Sequence, residues 1–157
     1  MIVYRSAVLE DVTMMQGLLQ ALADCDCGGR VAPVEALRKH GFGDRPLYEA
    51  ILAEEQGKSI GLVVFYPDFS TMRGAPGVYV QDLYVLDEWR GIGVGRMLLS
   101  EAMKAAELGW DARYLTLGVN PKNSAARAVY ERMGFRPRGY DFLFIEGATL
   151  VTDTGSS

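Results

Sequence analysis

Histidine and cysteine are scarce in this 157-residue sequence: His40 is the one histidine, and the two cysteines, Cys25 and Cys27, are a single residue apart. Thiols that close form only a strained disulfide, and one histidine does not complete a metal-ligand set with them. Two reduced thiols and no metal are expected. Long apolar runs are also missing. The stretch over residues 60–66 contains Gly61 and falls far short of a bilayer span, so no membrane role is expected. The opening residues, Met-Ile-Val-Tyr-Arg-Ser, lack the basic lead and apolar run of a secretory signal, which predicts a cytoplasmic protein. There is no surplus of positive charge. The 16 Lys and Arg stand against 20 Asp and Glu, a net charge of −4, which argues against nucleic-acid binding and suits a cationic small substrate.

What remains is ordinary globular composition, 49% apolar and 23% charged. The length fits one domain, at roughly 150 residues each. We expect that domain to cover residues 1–150, with a disordered tail over 151–157, whose polar residues offer nothing to bury.

Periodicity gives the elements. A first strand is expected over residues 2–5. Val12, Met15, Leu18, Leu19 and Leu22 then recur at helical spacing, and a shorter helix follows over 34–39, stopped by Gly41-Phe42-Gly43. Residues 48–54 and 59–66 read as a hairpin across Gln56-Gly57-Lys58, residues 67–77 as a loop, and 78–86 as a third long strand of that sheet. A helix ending at Gly109, a strand over 114–119, a helix over 124–133 and closing strands over 135–137 and 142–146 complete the chain. Hairpins followed by alternating strands and helices imply a mixed α/β sheet with helices on its faces.

Between the long strand and its helix lies Arg90-Gly91-Ile92-Gly93-Val94-Gly95-Arg96. Alternating glycines let the backbone approach a ligand closely, and successive amides at a helix start cradle an anion. With Arg90 and Arg96 alongside, the natural guest is a phosphate or pyrophosphate. A dinucleotide fingerprint would need glycine where Arg96 stands, and a Walker loop would need Gly-Lys-Ser or Gly-Lys-Thr. Neither is present.

Arg90-x-x-Gly93-x-Gly95 resembles the pyrophosphate motif of the GNAT acyltransferases. The second GNAT motif is matched by Asn120-x-x-Asn123-Ser124-x-Ala126-x-x-x-Tyr130-x-x-x-Gly134-Phe135. The resemblance implies a mixed, mainly antiparallel sheet of six to seven strands flanked by about four helices and splayed at the cofactor cleft. It implies acetyl-CoA as co-substrate, held by the backbone of Leu83, Tyr84 and Val85 and by Gly91, Ile92, Gly93, Val94, Gly95 and Arg96, with Asn123 assisting. Tyr130 would stand near the thioester sulfur as general acid, a role a phenol suits because the departing thiolate needs a proton. An amide near Tyr84–Val85 would stabilise the carbonyl oxygen.

Gly41-Phe42-Gly43-x-x-Pro46-x-Tyr48, and Phe69-Ser70-Thr71 ahead of Gln81-Asp82-Leu83-Tyr84-Val85, resemble the diamine or thialysine N-acetyltransferase branch. That branch carries Glu-Asp where this chain has Gln81-Asp82. The carboxamide cannot neutralise an ammonium, so Asp82 becomes the candidate anchor or base and Gln81 a substrate contact. The implied acceptor is a small amine: an amino acid, a thialysine-like molecule, or a diamine or polyamine. A protein amine, or a non-catalytic acyl-CoA sensor, are the alternatives. A homodimer is implied by family habit. Tyr66, Phe69 and Tyr79 are further candidates for an acceptor wall, and Arg132 for a phosphate contact; Asp24, Asp26 and Glu35 read as solvated carboxylates.

Overall fold

The computed structural model describes residues 1–26 and 28–152. Cys27 and residues 153–157 lie outside the described residues, and with them part of the thiol and tail expectations; Cys25 is free and exposed. Val151 and Thr152, expected in the tail, end a short helix.

The chain divides into two compact units, Met1–Asn123 and a second beginning at Ser124. The first carries one five-stranded sheet in sequential order, β1 (Ile2–Ser6), β2 (Glu49–Glu55), β3 (Lys58–Ser70), β4 (Ala75–Val85) and β5 (Leu115–Leu117). The first three pairings are antiparallel and the last is parallel. Helices α1 (Val12–Cys25) and α2 (Val34–Phe42) precede β2, and α3 (Val94–Trp110) links β4 to β5.

Burial on both faces accounts for the continuous apolar runs of β2 and β3. Directly paired residues share a face. Leu52, Leu62 and Tyr84 form one such row and join Met15, Leu18 and Leu19 of α1 in one core. Ile51, Val63 and Leu83 form the adjacent row on the opposite face, against which α3 presents Leu98, Leu99, Ala102 and Ala106. Gly61 brings α3 close: a Cβ there would meet Tyr84 O at 2.8 Å and Leu98 Cδ1 at 3.3 Å.

Several boundaries differ from the sequence expectation, among them the strand expected over 114–119, which is only Leu115–Leu117. The expected 67–77 loop shrinks to residues 71–74, because β3 runs on through Pro67 to Ser70 and pairs with β4 from Ala75. Pro67 is tolerated there because Val78, its partner, turns its N–H away to Tyr114 O; the pair has no hydrogen bond to lose, and β2 has already ended. Helix α3 passes Gly109 to Trp110, whose indole N–H donates to Gly77 O at 2.8 Å while its ring lies 6.4 Å from that of Phe65. Helix α2 likewise runs to Phe42, with Gly43 as its cap. Gly41 is bare because the Tyr48 ring lies where its Cβ would be, and the Tyr48 hydroxyl donates to Leu37 O at 2.6 Å.

The second unit contains α4 (Ser124–Arg132) and α5 (Gly147–Thr152). The closing strands expected over 135–137 and 142–146 do not form among the described residues, so the sheet has five strands where six to seven were expected, and five α-helices where about four were. Pairing decides a strand; side-chain pattern alone gives only a candidate.

Candidate active site

Strand β4 changes character at its middle. Val64 pairs with Asp82 but Phe65 with Val80, so Gln81 has no partner in β3 and forms a β-bulge. On the other side, β5 pairs with β4 only at Val78, Tyr79 and Val80. Among the described residues no strand pairs with that edge of β4 beyond Val80, in keeping with the splay the resemblance implied.

Alternation settles which backbone groups face the opening. The Leu86 N–H donates to Ile60 O across the sheet at 2.9 Å, so Leu86 and, two residues back, Tyr84 turn toward β3. Leu83 and Val85 therefore turn their N–H and C=O to the open edge. The Val85 carbonyl there accepts from Arg90 Nε at 2.8 Å.

The bulge also decides side chains. Tyr66 donates its hydroxyl to Gln81 Oε1 at 3.0 Å, and its ring packs on Tyr79 at 5.2 Å between centroids. Burial first, then the charges of Tyr79, Asp82 and Asp68, push the Tyr66 phenol up. Asp82 is half-buried, and burial alone raises its carboxyl above the usual aspartate range. No hydrogen bond or ion pair reaches that carboxylate from the described residues. Sequence reading offers Tyr66 only as a wall aromatic; its hold on Gln81 depends on the bulge, which no local pattern marks.

The turn after β4 is built for close approach. Gly91 (φ +78°) and Gly93 (φ +93°) take left-handed backbone conformations, and a Cβ on either would meet nothing within 4 Å. Gly93 caps α3 without any side-chain bond, so the first-turn N–H groups of Val94, Gly95 and Arg96 have no partner within the helix. Ile92 is exposed. The two arginines do different things. Arg90 is held by Asp87 Oδ1 at 2.8 Å, by Val85 O, and over the Tyr84 ring at 5.4 Å. Arg96 is exposed in the first turn of α3 and makes no ion pair among the described residues. The open amides, the helix dipole and Arg96 fit a pyrophosphate.

Asn123 lies just before the second unit; its N–H and that of Lys122 bond the Asn120 carbonyl and side chain at 2.8 and 3.0 Å. Within that unit, Tyr130 is half-buried with its ring 5.5 Å from Phe135. Gly134 at φ +103° lets its own N–H bond Glu131 O and the Phe135 N–H bond Tyr130 O, both at 3.0 Å. The Tyr130-x-x-x-Gly134-Phe135 spacing is thus a helix C-terminal motif with its hydrophobic contact.

Of the other candidates, Phe69, Arg132, Asp24, Asp26 and Glu35 are exposed. Phe42 and Tyr48 line a separate cavity of about 390 Å³ with Glu49 and Trp110. Among the described residues there is no group of three or more His, Cys, Asp or Glu able to hold a metal, and no helix long and apolar enough to cross a membrane.

Comparison with known proteins bears on this geometry. Residues 15–135 match the model of the Acetyltransferase (GNAT) family. Thialysine N-epsilon-acetyltransferase from Bos taurus is 34% identical over 110 residues, which is 64% of this chain and 62% of that protein. The match thus spans less than two thirds of that relative. Among solved structures, an integron cassette protein of V. cholerae superposes with a TM-score of 0.77 over 96% of this chain and 95% of the other, at 20% identity. An aminoglycoside N-acetyltransferase in complex with CoA gives 0.75 over 94% and 95%, at 17% identity. The family match covers well over half of the chain, and the chain belongs to the GNAT family of acetyltransferases.

Proposed function

We propose that the protein is an acetyl-CoA-dependent N-acetyltransferase that acetylates a primary amine of a small molecule. The observation that carries this reading is the unpaired edge of β4 beyond Val80 running directly into the Gly91–Gly93 turn. Acetyl-CoA, when bound, supplies the thioester that the amine attacks. The free first-turn amides of α3, with Arg96, hold its pyrophosphate, and the open-edge groups of Leu83 and Val85 pair with its amide arm as a neighbouring strand would. The Val85 N–H, turned to that edge, is the donor available for the carbonyl oxygen as it gains charge.

Aliphatic amines, with pKa near 10.4, are mostly protonated at neutral pH. Asp82 attracts the ammonium and takes its proton, directly or through water. A carboxyl raised by burial suits that work better than an ordinary aspartate. Tyr130 donates its phenol proton to the departing sulfur, and Asn123 assists in holding the co-substrate. The 34% identity with a thialysine N-epsilon-acetyltransferase favours amino acids, thialysine-like molecules and diamines as acceptors. By the same family likeness, residues 1–150 act as one catalytic domain, and the protein works as a homodimer in the cytoplasm.

The test is thiol release from acetyl-CoA with and without a panel of lysine, thialysine, diamines, spermidine and aminoglycosides. Release stimulated by an amine is expected. Release that no amine stimulates, with acetyl-CoA bound, refutes the proposed transfer to small amines.

A further inference from the structure

We infer that the acceptor carries an oxygen acceptor, such as an ether, hydroxyl or carboxylate oxygen, within a few bonds of its reacting nitrogen. This rests on the acetyl-transfer reading above and narrows it.

A regular strand sends neighbouring side chains to opposite faces, but the bulge at Gln81 suspends that rule. Both Gln81 and Asp82 consequently act on one phenol. Tyr66 donates to Gln81 Oε1 at 3.0 Å and feels the charge of Asp82. The phenol is itself held, since its ring packs at 33° on Tyr79.

A carboxamide has one acceptor oxygen and one NH2 that donates twice. With Oε1 engaged by Tyr66, the exposed Gln81 keeps both Nε2 donors for a ligand, since no described residue accepts from them. Beside it stands Asp82, a carboxylate that only accepts and to which no described residue donates. The mouth thus presents a donor next to an acceptor. An ammonium answers Asp82, and a nearby ligand oxygen answers Gln81. A polymethylene amine answers only the first, and the second ammonium of a diamine would face N–H donors. Tyr66 is accordingly a specificity-determining residue acting through Gln81, because it fixes which end of the carboxamide is offered.

The test compares 2-methoxyethylamine with butylamine, which match in length and differ by one oxygen. The ratio of their kcat/KM values is measured in the wild type, in Gln81→Leu and in Tyr66→Phe. The two amines differ in basicity, but that difference is common to all three proteins. One neutral hydrogen bond predicts that the ratio falls about threefold to tenfold in Gln81→Leu. It should fall by less in Tyr66→Phe, where the freed carboxamide can turn over, and the change in the ratio should lie in KM for the ether amine more than in its kcat. Equal ratios in the wild type and Gln81→Leu overturn the inference and leave acetyl transfer standing. Thiol release that neither these two amines nor any amine of the panel above stimulates overturns the acetyl-transfer reading as well.

Discussion

Replacing Gly93 by alanine separates the two tasks assigned to the turn before α3, conformation and ligand approach. Gly93 sits at φ +93° and ψ 6°, where an L-residue pays roughly 1–2 kcal/mol. No steric cost adds to this, because the new Cβ would meet nothing within 4 Å. For a chain of this size each kcal/mol moves the melting temperature by about 2–4 °C, so a drop of roughly 2–8 °C is expected in a thermal melt. In the proposed binding mode, the space open to the methyl group is also the space through which a pyrophosphate oxygen would reach the free amides of residues 94–96. Losing one charge-assisted hydrogen bond, at about 1.5–3 kcal/mol, weakens acetyl-CoA binding on the order of tenfold to a hundredfold by titration calorimetry. Gly95→Ala is the control of opposite sign. Gly95 lies in the first turn of α3, and its Cβ would sit at ordinary contact distance, 3.8 Å from Val85 Cγ2 and 3.9 Å from Leu83 Cδ2. That change should stabilise by roughly 0.5–1 kcal/mol. A Gly93→Ala protein that melts with the wild type and binds acetyl-CoA as tightly would refute the reasoning.

Asp82→Asn should lower amine-stimulated kcat/KM by about a hundredfold or more, as loss of a general base does, and abolish its acid limb in a pH–rate profile. In the wild type that limb should lie above the ordinary aspartate pKa, since burial raises the carboxyl. Stability should move the other way. A folded-state pKa above the unfolded one gives stability that is present at low pH and lost as pH rises through it, so Asp82→Asn should melt no lower than the wild type at pH 7. Tyr130→Phe should cut turnover by about a hundredfold while acetyl-CoA affinity stays; unchanged turnover removes Tyr130 from the chemistry. Arg5 binds Asp11 with both guanidinium NH2 groups, at 2.8 and 2.9 Å, and Glu54 at 2.6 Å, tying β1 to the turn before α1 and to β2. Its hydrogen bonds hold the Asp11 carboxyl low, so that contribution is present above the unfolded aspartate pKa and lost as pH falls through the lower folded value. Arg5→Met should cost about 1–3 kcal/mol in urea titrations at pH 7 and flatten the acid limb below about pH 4.

The local signals were sufficient where one element carries the information. The Arg90–Arg96 turn needs only its glycines and the helix behind it, and both are legible in sequence; the structure adds that Gly91 and Gly93 are the left-handed pair while Gly95 is already helical. The apolar stripes of α1 and α3 gave the core because burial follows helical spacing. Strand ends were less legible. Pro67 and Gly77 read as loop, yet cross-strand pairing carries β3 and β4 past them, because the prolyl nitrogen faces a side where no partner waits. The closing strands at 135–137 and 142–146 show the converse: an alternating or apolar pattern makes no strand without a pairing neighbour. What tertiary structure alone decided is the site's polarity. Sequence placed Gln81 and Asp82 side by side, but it is the bulge defined by the β3 register that sets Gln81 Oε1 to accept from Tyr66 beside Asp82. Arg90, which sequence put beside the phosphate, is exposed but also bound to Asp87 and Val85, whereas Arg96 makes no ion pair among the described residues. Chemistry-bearing residue types and their spacing are written along the chain; which lone pairs and charges remain free for a ligand depends on partners far away in sequence.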